Sequence, residues 1–416
     1  MARLLWWYAA RSLARLVALQ HRDFRLLFSG LLVSVTGTQM QRVAVAWQLY
    51  QLSGSAVAMG FLGLARVAPV LLLTIGGGVI ADAFDRRKLM LLTQSALGLT
   101  SVALALATAY GHVSPLVIYT VAAFAGAAVA FDLPARQSLV PLLVPREHLA
   151  NALSLNGMAF EMGTILGPAL GGFVIARWGV VPIYTFDALS FSAVIVALLL
   201  MRSRPQTESK GRVSWAAVGE GLAFLRRSPL ILSTMTLDFF ATFFAGSMLL
   251  LPIFADQVLG AGPEVLGLLY AAQPVGAALT AGILSLRGTI DRQGRALLFS
   301  VTAYGLAILG LGLSRSLVPA LLCLALSGAA DMVSTVIRQT IRQLLTPDEL
   351  RGRMTAVTGM FFISGPQLGE LEAGLVAGAS SVPFAIASGG VACLVVVLLT
   401  ALLVPALARY RHRDGA

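Results

Sequence analysis

Nine ionisable side chains interrupt the long apolar runs of this sequence: Arg42, Arg66, Asp132, Glu161, Asp187, Asp238, Asp331, Glu370 and Glu372. Seven carboxylates stand against two guanidiniums, so full ionisation would leave an excess of five negative charges, or three if Asp132 and Asp331 belong to basic helix ends. A charge in hydrocarbon costs at least about 2.5 to 3.5 kcal/mol, and a carboxylate without a counterion there favours its protonated form. The chemistry such a set predicts is reversible protonation linked to the movement of another molecule. Asp238 or Glu161 is the expected proton-exchanging group. Asp238 has Phe239, Phe240, Phe243 and Phe244 beside it, and aromatic faces next to a carboxylate suit a lipophilic cation. An ion pair such as Arg66 with Asp238, holding two helices together, would account for the same residues equally well. Arg42 and Arg66 favour a different substrate, an anion.

The rest of the chemical inventory is sparse. His21, His112, His148 and His412 form no HExxH pair, and no GxxxxGK[ST], GxSxG or CxxC pattern occurs. No metal or organic cofactor is expected and the chain does not read as an enzyme. Cys323 and Cys393 lie inside apolar runs and read as small core residues.

Helices in lipid must position these groups. Of 416 residues 57% are hydrophobic and 12% charged, with a mean hydropathy of +0.84, far from the soluble norm of about a quarter charged. A hydrocarbon-spanning helix needs roughly 20 apolar residues, and hydropathy predicts twelve, near 24–50, 57–81, 89–110, 115–139, 149–176, 181–201, 230–255, 264–286, 296–313, 317–340, 352–378 and 382–407. The net charge of +11 could suggest nucleic acid, but 26 of the 30 lysines and arginines fall at the chain ends and in alternate connections. The opposite connections hold Arg177 and Arg315. That alternation is the positive-inside pattern of a multi-pass protein with both termini in the cytoplasm, and it argues against a nucleic-acid partner.

Domain organisation follows. Residues 1–23, with Arg11 and Arg15 one turn apart and Trp6, Trp7 and Tyr8 nearby, read as a cytoplasmic interfacial helix. An N-terminal six-helix bundle is expected over 24–202 and a C-terminal one over 230–408, followed by a cytoplasmic tail, 409–416. Between the bundles, 203–229 reads as a linker carrying an amphipathic helix, with Trp215, Val218, Leu222 and Leu225 at helical spacing. The halves repeat at an offset of 202: Gly126 matches Gly328, Arg136 matches Arg338, Pro145 matches Pro347, and Gly163, Gly167 and Gly172 match Gly365, Gly369 and Gly374. Parallel six-helix repeats are a transporter plan, with the substrate site between the halves near the bilayer midplane.

Two motifs sharpen this. "GGVIADAFDRRKLM" puts Asp82, Asp85, Arg86, Arg87 and Lys88 into seven positions between apolar runs, and "GTILGPALGG" stacks Gly163, Gly167 and Gly171 on one helix face, with Pro168 bending it and Gly172 beside them. The first resembles the loop motif GxLaDrxGrk of the major facilitator superfamily, with Ala83 in place of a basic residue and Asp85 in place of a glycine. The second is similar to the fifth-helix antiporter motif of drug exporters, GxxxGPxxGG. "FDLPARQSLVPLLVP" brings the chain near the bacterial efflux branch that contains macrolide exporters and the enterobactin exporter. The resemblance covers essentially all twelve spans. It implies an all-α membrane protein of two six-helix bundles related by a pseudo-two-fold axis, a monomer in the bacterial inner membrane.

A gate is expected at Gly78, Asp82, Arg86, Asp132 and Arg136, with Arg86 pairing Asp132, and a looser copy at Asp291, Arg292 and Arg295. The cavity candidates are Arg42, Arg66, Glu161, Asp238, Phe243, Asp331 and Glu370. The acidic excess favours export of an amphiphilic, cationic drug-like molecule by proton antiport, while Arg42 and Arg66 with the enterobactin-exporter resemblance allow an anionic siderophore. A sensor of the same fold that moves nothing is a further alternative.

Overall fold

A computed structural model describes residues 14–83, 85–202, 219, 223–287, 290–347 and 350–411. Residues 1–13 of the predicted interfacial helix, most of the linker helix and the tail beyond 411 lie outside them. Regular structure among the described residues is helical throughout. A short 3-10 stretch, Ala14–Gln20, leads into twelve long helices. The first six are α1 (Arg22–Ser53), α2 (Ala56–Ala83), α3 (Arg86–Ala109), α4 (Pro115–Leu139), α5 (Leu149–Trp178) and α6 (Val181–Leu200). The second six are α7 (Pro229–Phe244), α8 (Pro263–Arg287), α9 (Gln293–Leu313), α10 (Leu317–Leu345), α11 (Arg351–Ala379) and α12 (Val382–Leu403).

Among the described residues ten helices, all except α1 and α11, are long and apolar enough to cross a membrane. The two others carry Gln39, Gln41 and Arg42 on α1, and Gln367, Glu370 and Glu372 on α11. These polar side chains lower the apolar content of the helices that line the centre. Large apolar side chains elsewhere stay uncovered, Leu72 at 80% and Leu286 at 88% exposure among them, as a lipid-facing surface requires.

Local signals set the ends. Asp85 caps α3, accepting from the backbone N–H groups of Arg87 at 2.9 Å and Lys88 at 3.1 Å, so the residue that departs from the motif glycine starts a helix. Ser114 caps α4, with Pro115 at its first position. Gly54, at φ 58°, ends α1 in the left-handed region, where its N–H reaches the Tyr50 carbonyl. The expected seventh span is interrupted. α7 stops at Phe244, and short helical turns from Met248 to Val258, the last of them π-helical, continue it. A side chain at Gly246 would crowd the Thr242 carbonyl at 2.8 Å and the Pro366 carbonyl of α11 at 2.9 Å, so the break lies where α11 crosses.

Helix pairing repeats with an offset of six. α1 packs on α5 and α6, α2 on α4, and α3 on α4 and α6; likewise α7 packs on α11 and α12, α8 on α10, and α9 on α10 and α12. Between the bundles α2 meets α11 and α5 meets α8. Exchange of the halves maps each contact onto the other, which is the two-fold relation the sequence repeat predicts.

Candidate functional site: a cavity between the bundles

α1 begins at a basic face, where Arg22 and Arg87 donate to the neighbouring Leu200 and Leu199 carbonyls, and ends at the far face. On the far face the bundles are in close contact. A Cβ built on Gly172 of α5 would lie 2.8 Å from Gly267 Cα of α8, and one on Gly374 of α11 would lie 2.7 Å from Gly60 Cα of α2. One apolar core crosses the interface there, with Met40 and Trp47 from one bundle and Leu249, Leu250 and Phe254 from the other. The Tyr50 hydroxyl bridges the halves by donating to Asp256. Towards the basic face the N-terminal bundle keeps a separate core of Phe24, Leu27, Leu89, Leu139 and Leu198 that includes no residue of the other bundle. The space between the bundles is therefore sealed towards the far face.

That space is a cavity of about 490 Å³. Arg42, Arg66, Glu161, Asp331 and Glu370, five of the seven cavity candidates, line it. Gln39, Gln273 and Tyr270 add hydrogen-bonding groups, and Phe160 and Phe362 add apolar wall. Arg66 is placed by close helix contact, because a side chain at Gly126 of α4 would collide with the Arg66 carbonyl. Arg42, Arg66, Glu370 and Tyr270 lie close enough to feel one another's charge. Among the described residues neither guanidinium has a carboxylate within 4 Å, the ion pairs there being Arg22–Asp23, Arg338–Asp238 and Arg338–Asp331.

Asp238 and Phe243 stand apart from this cavity. Asp238 forms an ion pair with Arg338 of α10, which also reaches Asp331 at 3.6 Å, so the expected Arg66–Asp238 pair is replaced by one inside the C-terminal bundle. Asp238 and Arg338 line a neighbouring space of about 220 Å³, which shares Thr335 and Phe362 with the central cavity. The aromatic group turns on itself: Phe243 stacks on Phe239 at 6.0 Å and meets Phe244 edge-on at 5.1 Å. The cation site read from "LDFFATFF" is not assembled, because the carboxylate already has a guanidinium partner.

The expected gate is also distributed differently. The side chains of Gly78 and Asp82 lie outside the described residues. Arg86 donates to the Ser138 carbonyl at 3.4 Å, and Asp132 accepts from Thr93 and Gln94, both at 2.8 Å, so Arg86 and Asp132 do not pair. Both groups bind within the N-terminal bundle, and among the described residues no ion pair joins the halves on the basic face. Arg136 lines a cavity inside the N-terminal bundle. Asp291, Arg292 and Arg295 are exposed around the start of α9. The fifth-helix motif does divide by face: Gly163, Gly167 and Gly171 accept α1 at Val35 to Met40, while Gly172 and the Pro168 carbonyl meet Gly267 of α8.

The profile of the family described as "Transmembrane secretion effector" matches residues 13–412. The chain belongs to this family. A relative named "Enterobactin exporter EntS", from Shigella boydii serotype 18 (strain CDC 3083-94 / BS512), is 28% identical over 393 residues, covering 94% of each chain. Among solved structures, a POT family transporter in complex with 5-aminolevulinic acid superposes with a TM-score of 0.72 at 13% identity, covering 93% of this chain and 96% of its own. A bacterial homolog of the human lysosomal transporter Spinster, inward-facing and unoccupied, gives 0.68 at 15% identity with the same coverage. The family and the fold make this a multi-pass major facilitator transporter, as the motifs imply.

Two features had no motif to announce them. Asp187 is fully buried in the N-terminal bundle, where its carboxylate accepts from Ser101 at 2.6 Å and Thr38 at 3.3 Å, and Gln41 donates to Ser101 at 2.9 Å. Polar residues at 34, 38, 41 and 48 of α1 mark this face at helical spacing, and that periodicity is the signal that could have revealed it. The Tyr50–Asp256 bridge joins residues 206 apart, and no local pattern encodes it.

Proposed function

We propose that this transporter exports a small amphiphilic anion of the siderophore kind, by alternating access driven by the proton gradient. The observation that carries this reading is the pair Arg42 and Arg66, facing the central cavity without an ion-pair partner among the described residues. Arg42 is exposed and Arg66 half-buried in that cavity, and a bound anion would offset the repulsion between two like charges. The names of the relatives favour the same substrate class over cationic drugs, and so does the engagement of Asp238 by Arg338. Glu161, Asp331 and Glu370 on the cavity wall are the groups assigned to carry protons. They also support a second reading, export of a cationic amphiphile.

Accumulation in a host stripped of its own pumps separates the two. Siderophores, macrolides and cationic dyes are compared with and without a proton uncoupler. The anion reading expects siderophore export that is lost in Arg42→Gln and in Arg66→Gln; export of the dyes alone would replace it with the cationic one. Membership of the bacterial inner membrane, with both termini in the cytoplasm, belongs to the same proposal. Impermeant thiol probes at both ends and in the linker must all react from the cytoplasmic side.

A further inference from the structure

The N-terminal bundle contains a second cavity, of about 250 Å³, enclosed mainly by α1, α3 and α4. Leu97, Leu104, Ile118, Ala122 and Phe191 give it an apolar wall, and Ser34, Thr38, Gln41, Gln94 and Thr100 add hydrogen-bonding groups. Its charges are not balanced. Arg42, Arg66 and Arg136 line it against the single carboxylate of Asp132, which is held by Thr93 and Gln94. None of the three guanidiniums has an ion-pair partner among the described residues. The contrast with the other half is informative, because Arg338, the repeat counterpart of Arg136, is neutralised by Asp238 and Asp331. The repeat has kept the arginine and left its N-terminal copy facing a cavity.

This cavity and the central one share Gln39, Arg42, Arg66 and Phe160, so the two meet at the guanidiniums. An apolar cavity of about 150 Å³ in another protein takes a benzene ring; the space here takes a substituted ring or a branched alkyl group. We propose that this cavity is a substrate subsite. The acidic head of the transported anion sits at Arg42 and Arg66, and an apolar arm about the size of a phenyl ring enters the N-terminal bundle between α1, α3 and α4. The inference rests on the anion reading above and adds to it where the apolar part of the substrate goes and how large that part is.

Equilibrium dialysis of the purified full-length protein with radiolabelled butyrate, 4-phenylbutyrate and 4-(2-naphthyl)butyrate tests it, with uptake by empty lipid discs subtracted. The expected result is that 4-phenylbutyrate binds at least tenfold tighter than butyrate. Ala122→Phe, which fills the cavity, abolishes that preference while butyrate binding persists, and Arg42→Gln weakens both ligands. Leu104→Ala, which enlarges the cavity, shifts the preference towards the naphthyl arm, and it decides the matter if Ala122→Phe does not fold. Equal binding of butyrate and 4-phenylbutyrate, or a preference that neither cavity variant alters, overturns the subsite and leaves the anion reading standing. Binding of both acids unaffected by Arg42→Gln and Arg66→Gln overturns the anion reading, and the subsite with it.

Discussion

A single methyl group at the far-face seal should turn the protein towards its opposite state. Gly374 of α11 faces Gly60 of α2, and an added Cβ would lie 2.7 Å from Gly60 Cα and from the Ala56 carbonyl, where ordinary contact begins at 3.4 Å. Both neighbours are backbone atoms, so no side chain can rotate away, and the two helices must part by the difference, about 0.7 Å. Overpacking of this kind costs about 1 to 3 kcal/mol. If α2 and α11 separate at this face in the opposite state, the penalty is absent there, and Gly374→Ala shifts the equilibrium by about 5-fold to 150-fold. The assay is the rate at which an impermeant maleimide, added from the far face, labels Leu249→Cys at the cavity wall, in a background with Cys323 and Cys393 replaced. Gly172→Ala, at the symmetric contact with Gly267, should act in the same direction. Unchanged labelling in both folded variants would refute the claim that these glycine contacts close the far face.

Other expectations follow from named contacts. Tyr50→Phe removes the hydroxyl that crosses to Asp256; a net hydrogen bond of about 1 kcal/mol corresponds to about a fivefold gain in far-face labelling in the same assay. Arg338→Gln leaves Asp238 and Asp331 without their counterion and should lower stability by about 3 to 5 kcal/mol in thermal unfolding. Much of that loss should return when Asp238→Asn is added. Asp187→Leu strands the donors of Ser101 and Thr38 and should destabilise by about 1 to 3 kcal/mol, whereas Asp187→Asn, which can still accept from both, should cost clearly less.

The fold was legible because lipid enforces it. Apolar run length, the alternation of basic connections and the 202-residue repeat each report a constraint that acts along the chain, so helix number and the division into two repeated bundles follow. The glycines at 163, 167 and 171 were legible for a similar reason: one helix face spaced by four residues must admit a close neighbour. Charge partners were not. Asp238 could be matched to Arg66 or to a ligand on sequence grounds, and its actual partner, Arg338, lies 100 residues away on a helix whose rotation hydropathy does not fix. Asp85 was readable as a departure from a motif but not as the cap of α3, because capping depends on which residue begins the helix. The break after Phe244 was hidden because a continuous apolar run does not record where another helix presses on it.

The most direct test of the central claim is flux through the purified protein. Vesicles carrying the reconstituted chain are loaded with a labelled siderophore anion and a cationic dye together, and release is followed after a pH gradient is imposed. The account predicts gradient-dependent movement of the anion, abolished by Arg42→Gln and by Arg66→Gln. Movement of the dye with the anion retained, or anion flux indifferent to both substitutions, would contradict it.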